Sequence, residues 1–119
     1  MPLQINDRVY ETSSTIGITP IVLNGAASGY QNVASNISTS NTFPYIIELA
    51  GGNEWEIGIG QYVSGNNSII RTEILNSSNN RNIVNFSAGQ KNVFISIPAA
   101  YTALSVYFLY WKYADYDKY

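Results

Sequence analysis

The chain has no cysteine and no histidine, and only 12% of its 119 residues are charged, about half the usual share. Each shortage closes off a class of chemistry. Without Cys or His there is no disulfide scaffold, no His–Cys metal site, no thiolate nucleophile and no Ser-His-Asp triad. The six bases, Arg8, Arg71, Arg81, Lys91, Lys112 and Lys118, stand singly against eight acids, which argues against a nucleic-acid footprint. Met1-Pro2-Leu3 opens no basic n-region followed by an apolar h-region, so no secretory signal is expected. The missing Cys fits an intracellular product. Val93 to Trp111 is uncharged over nineteen residues, close to the length of a membrane span, but it contains Ser96, Pro98, Thr102 and Ser105 and begins with strand-like alternation. No membrane crossing is expected from it, and no cofactor or metal is expected anywhere.

What is present can fold. A composition that is 45% hydrophobic and 13% aromatic supports a core, and the length suits one domain. The polar half is unusual: Asn fills fourteen positions, and no residue between Thr12 and Ile47 is charged. Strands with so few charges lack the Lys and Glu gatekeepers that prevent edge-to-edge pairing. Such strands are expected to be covered by neighbouring subunits.

The pattern is strands and turns. Glu54-Trp55-Glu56-Ile57-Gly58-Ile59-Gly60-Gln61-Tyr62 alternates strictly, which predicts a half-buried strand with Trp55, Ile57 and Ile59 on the core face and Glu54 and Glu56 toward solvent. Tyr45–Leu49 precedes it across a Gly51-Gly52-Asn53 turn, and Ser64-Gly65-Asn66-Asn67 leads into a strand over Ser68–Leu75. Ile83–Phe86 and Val93–Ile97 read as further strands, the latter ending at Pro98. Upstream, Asp7–Thr12 and Thr15–Leu23 are candidate strands, with Pro20 marking an edge or bulge and Asn24-Gly25 a turn. Ala26–Thr42 reads as a loop with at most one short strand, from which Tyr30, Val33 and Ile37 stand out. No helical periodicity occurs before residue 100. Turn signals every eight to twelve residues predict an all-β fold, a single antiparallel β-sandwich or small barrel over residues 1–98.

Residues 99–119 differ in composition. Half of the sixteen aromatic residues fall in the last nineteen positions. As a helix, Leu104, Tyr107, Phe108 and Trp111 would share a face. As a strand, Leu104, Val106, Phe108 and Tyr110 would alternate against Tyr107, Leu109, Trp111 and Tyr113, and the Tyr/Val/Phe/Trp content suits β structure. Either way the segment has more apolar surface than polar cover. It is either a last core element or an arm that docks on a neighbouring subunit, because Tyr and Trp are enriched at interfaces.

Glu54 and Glu56 are the one close carboxylate pair in an ordered segment, formally compatible with a glycosidase pair or half of a Ca²⁺ site. The plainer reading is polar positions on an amphipathic strand, and Asp115 and Asp117 read as a solubilising end. Asn-rich loops beside Trp55 and Tyr62 raise a carbohydrate-binding module, although the alternation places Trp55 in the core. Four Asn-X-Ser sequons are a chance consequence of the Asn and Ser content.

Several motifs recur in a fixed order. They are Ile5-Asn6-Asp7-Arg8-Val9 with Glu11-Thr12-Ser13, Asn53-Glu54-Trp55-Glu56-Ile57-Gly58-Ile59-Gly60, Arg71-Thr72-Glu73-Ile74-Leu75-Asn76-Ser77-Ser78-Asn79, and Val84-Asn85-Phe86-Ser87-Ala88-Gly89-Gln90-Lys91-Asn92-Val93-Phe94. The series, over about residues 3 to 100, resembles a β-rich structural module of tailed-bacteriophage virion proteins, of the tail-fibre or appendage type. The resemblance implies a non-enzymatic part of a phage particle, assembled in the bacterial cytoplasm, and brings no catalytic residues with it. Long fibre proteins continue into fibrous repeats or receptor-binding tips, where this chain has the aromatic segment. The expected function is therefore a tail-fibre, appendage or adaptor subunit, with a capsid decoration protein or a host-glycan-binding module as alternatives. Its expected partners are other virion proteins and further copies of itself. Tyr107, Phe108, Tyr110, Trp111 and Tyr113 are the expected interface anchors.

Overall fold

The computed structural model describes residues 3–96. Six strands, β1 (Val9–Ser13), β2 (Ile21–Val22), β3 (Thr42–Leu49), β4 (Trp55–Val63), β5 (Ser68–Ser77) and β6 (Lys91–Ile95), form one antiparallel sheet in the order β1-β6-β3-β4-β5-β2. The one helical piece among the described residues is a 3-10 turn, Ser64–Asn66, which ends on Asn67 in the left-handed conformation that Asn tolerates better than most residues. Residues 99–119, with all five expected interface anchors, lie outside the described residues.

The sheet nearly closes into a small barrel, the second of the two architectures expected. The chain leaving β2 bends away from β5 and lies along β1: Asn24 N–H donates to Thr12 O at 2.9 Å and Ala27 N–H to Tyr10 O at 3.0 Å, with Glu11 bridged to Ala26. Gly25 makes the bend at φ +112°, a value that needs glycine. Glu11, buried on the inner face of β1, fixes the junction. Its carboxylate accepts the Gly25 N–H at 2.9 Å and the Val33 N–H at 2.6 Å, which draws the long loop in so that Val33 and Ile37 join the core.

Two expected strands are shorter than their apolar patterns predict, for a common reason. Ile83–Phe86 forms no strand and Thr15–Leu23 pairs only at Ile21–Val22, apart from a single Gly17–Phe86 bridge. Side chains take the backbone groups that a ladder would have used. Arg71 donates to Gly17 O, Thr19 O and Val84 O at 2.9, 3.0 and 2.9 Å, and Glu56 accepts the Val84 N–H at 2.8 Å. Conversely, β3 begins three residues before Tyr45 and runs through Pro44. There it extends past the last β6 pair, Tyr45–Ile95, and is flanked only by the Leu3–Thr42 bridge, so the missing N–H is tolerated.

The faces of β4 are the reverse of the expectation. Glu56, Gly58, Gly60 and Tyr62 point inward, whereas Trp55, Ile57 and Ile59 lie on the outer face, half-buried. The cause is Tyr45, paired opposite Gly58. A Cβ on Gly58 would stand 2.6 Å from the Tyr45 hydroxyl, and one on Gly60 would stand 3.1 Å from the ring. The tyrosine thus occupies the space that β4 side chains would fill, an alternation of large and small residues common inside small barrels. Around it pack Phe43 and Ile47 of β3, Ile69 of β5, Val93 and Ile95 of β6, and Phe86.

Candidate functional site

The two carboxylates of the Glu54–Glu56 pair have separate duties. Glu56 is fully buried, not solvent-facing as expected. Its Oε2 accepts the Tyr45 hydroxyl at 2.6 Å, and its Oε1 accepts Arg71 Nη1 at 3.0 Å as well as the Val84 N–H. The Arg71 side chain is 1% exposed, and its guanidinium lies over the Phe86 ring at 5.5 Å. Four of its donors are used, and the Nε–H is buried without a partner. Burial, and then the Glu56 charge beside it, push the Tyr45 hydroxyl far above its ordinary value. Every oxygen of Glu56 is already engaged, so this cluster is a structural junction of β3, β4, β5 and two loops.

Glu54 sits at the barrel rim and caps a neighbouring loop. Its carboxylate accepts the Ser87 hydroxyl at 2.6 Å and the Ser87 N–H at 2.8 Å, and these bonds hold it below the usual carboxylate range. Lys91, on the inner side of β6, gives its ammonium to Gly89 O at 2.8 Å. Burial lowers its pKa, partly offset by Glu54. No group of three or more acidic side chains placed to hold a metal ion occurs among the described residues.

The feature with a consequence for function is the outer face of the sheet. Cross-strand pairing aligns Tyr10, Phe94, Ile46 and Ile57 in one row across β1, β6, β3 and β4, about 15 Å long at the usual strand spacing. Tyr10 stacks on Phe94 with ring centroids 4.3 Å apart, and Tyr30 meets Tyr10 edge-on at 4.9 Å. Arg8 lies over Tyr30 at 4.3 Å. On one side the next row is Thr12, Asn92, Glu48 and Trp55, and on the other Pro44, Ile59 and Glu73. The centre is apolar, and the border mixes Thr12, Asn92, Glu48 and Glu73 with Trp55, Pro44 and Ile59. Further exposed apolar residues occur in and near β2 and on its partner β5: Ile16 and Ile18 are 60% and 59% exposed, and Val22 and Ile70 are exposed as well. Where β6 ends, a groove of about 300 Å³ is lined by Ile5, Asn6, Asp7, Arg8, Ile95 and Ser96.

Sequence reasoning had no access to Tyr45, Arg71 and Glu56 as a unit, nor to Tyr10 and Phe94 as a patch. One signal was present: Arg71 is the only base between Arg8 and Arg81, and it directly follows the apolar pair Ile69-Ile70 in β5. Trp55, expected in the core, is on the outside, and its backbone is tied to the Asn-rich loop through Ser78, with bonds of 2.9 and 3.0 Å. Family models, curated proteins and solved structures yield no match to this chain.

Proposed function

We propose that this chain is a non-enzymatic structural subunit of a tailed-bacteriophage particle, a tail-fibre, appendage or adaptor component that joins other virion proteins. It would be assembled in the host cytoplasm and reside in the virion. The observation that carries the reading is a sheet with apolar residues on both faces: the core within, and Tyr10, Phe94, Ile46, Ile57 and Ile59 outside. Antiparallel sheets of free monomers usually keep one face polar, and large exposed apolar patches mark contact sites. The exposed Ile16, Ile18 and Val22 fall within the uncharged run after Thr12, in keeping with a covered surface. The resemblance of the ordered motifs to virion modules suggests the biological setting. Such a subunit works mechanically, with many copies engaging at once so that modest single contacts add to a lasting assembly.

The test is incorporation. Full-length chain and a chain truncated after Ala100 are supplied during particle assembly, and purified particles are assayed for each. The full chain is expected in particles and the truncated chain is not; equal incorporation of both would remove residues 101–119 from the docking role. Immunogold labelling then separates a tail position from a capsid-decorating one. One observation favours a second reading, host-glycan binding: Trp55 faces outward beside the Asn79–Asn82 loop, and an aromatic face flanked by amides can stack on a sugar ring. That reading requires measurable binding on a glycan array, lost in Trp55→Ala.

A further inference from the structure

We infer that the outer sheet face, centred on Tyr10, Phe94, Ile46 and Ile57 with Trp55 and Ile59 beside them, is the acceptor for the aromatic segment of a second copy of this chain. The inference rests on the proposed role as an assembling subunit and adds to it the surface and the partner.

The acceptor has the anatomy of an interface. Its centre is aromatic and aliphatic, and its border carries Thr12, Asn92, Glu48 and Glu73, matching the apolar core and polar rim of protein contacts. The occupant is argued from the chain that continues beyond Ser96. Twenty-three residues follow, eight of them aromatic, and none before Lys112 is charged. A seat without buried ionic partners suits such a segment, because no charge has to be desolvated on docking. Tyr and Trp side chains contribute large apolar areas with a polar tip that can remain at the rim.

Direction selects a second copy over the same barrel. β6 runs from Lys91 to Ile95, so at Ser96 the chain is heading away from the row that holds Asn92 and Trp55. To lie on its own outer face the chain would have to reverse its direction after Ser96. The reversals of the barrel use Gly51 and Gly52 after β3, Asn67 before β5, Asn80 after β5 and Gly89 before β6, nearly all at positive φ. Beyond Asn92 the sequence contains no Gly and no Asn. Pro98 further biases the residue before it toward extended backbone. Twenty-three residues reach at most about 75 Å when extended, ample to cross to a neighbour.

The experiment is a complementation in the full-length chain, read by sedimentation velocity across the micromolar range. One variant, Ile57→Glu, disables the face; the other, Phe108→Ser with Trp111→Ser, disables the segment. The wild type is expected to self-associate, and each variant alone to bind itself about tenfold or more weakly. Mixed, the variants should form a 1:1 complex, since one brings an intact segment and the other an intact face. Circular dichroism and thermal unfolding confirm folding, and Ile57→Thr, a strand-compatible polar replacement, substitutes if the Glu variant does not fold. A mixture no better than its components would overturn the inference in favour of coverage within one chain. Normal association of the Ile57 variants alongside loss in the segment variant would place the acceptor elsewhere. A monomeric wild type that still enters particles would defeat this inference and leave the proposed function standing.

Discussion

A methyl group added at Gly58 would press against the Glu73 carbonyl oxygen and stand 2.6 Å from the Tyr45 hydroxyl, so the side chain that organises the barrel interior could not keep its place. Gly58→Ala is therefore expected to destabilise the fold by about 1–3 kcal/mol or more, measured by urea unfolding. The neighbouring ion pair makes a stronger demand. Arg71→Met leaves the Glu56 carboxylate buried without its cation and removes a hydrogen bond from three backbone carbonyls, of which Gly17 O keeps the Phe86 N–H, for an expected loss of about 3–5 kcal/mol. Adding Glu56→Gln to Arg71→Met removes the stranded charge, so the double variant should lose less than the sum of the two single ones. At the rim, Glu54 is held low by Ser87. A carboxylate with a depressed folded pKa stabilises fully above its unfolded value of 4.5 and loses that stabilisation as pH falls through the folded one. Glu54→Gln should flatten stability against pH below about 4.5 and leave its shape near neutrality unchanged.

At the scale of elements, β4 shows what a sequence pattern can and cannot carry. Alternation located the strand almost to the residue, and the Gly51-Gly52-Asn53 turn located its hairpin partner. Which face turns inward was not legible, because three of the four inward positions are a carboxylate and two glycines with no apolar signal of their own, and only Tyr62 is aromatic. Their burial depends on Tyr45 from β3 and Arg71 from β5, and those partners are set by register. A shift of one residue exchanges the faces of a strand, so the phase of β4 is decided by the whole sheet. The same limit applies to Ile83–Phe86, expected as a strand, where Val84 and Phe86 are buried while the backbone is claimed by side chains. The phase can be checked by substitution in adjacent strands. Ile57→Thr and Ile59→Thr, outside, should each cost under about 1 kcal/mol in the isolated chain, whereas Ile47→Ala, inside, should cost about 2–5 kcal/mol. Equal costs at the two kinds of position would contradict the observed facing.

At the scale of the molecule, closure and association are separable. The strip after β2 returns to β1, Glu11 locks the junction from inside, and Arg71 fastens the loops at the β5 side, so the bonds that close the barrel lie within the described residues. The outer face is different: it contributes little to closing the barrel, yet it carries the apolar row and the stacked Tyr10–Phe94 pair. The charge deficit has the same division. Inside the Thr12–Ile47 run, Phe43, Tyr45 and Ile47 serve the core, while Ile16, Ile18 and Val22 remain exposed. A chain truncated after Ala100 should therefore unfold cooperatively at a midpoint within a few degrees of the full chain at matched low concentration, and, at concentrations where the full chain self-associates, bind dyes specific for exposed apolar surface more strongly. Addition of a peptide spanning residues 101–119 should reverse the dye binding in the truncated chain, and Ile57→Glu should abolish that reversal. A truncated chain without a cooperative transition would mean that the aromatic segment completes the core, and that the barrel depends on it for folding.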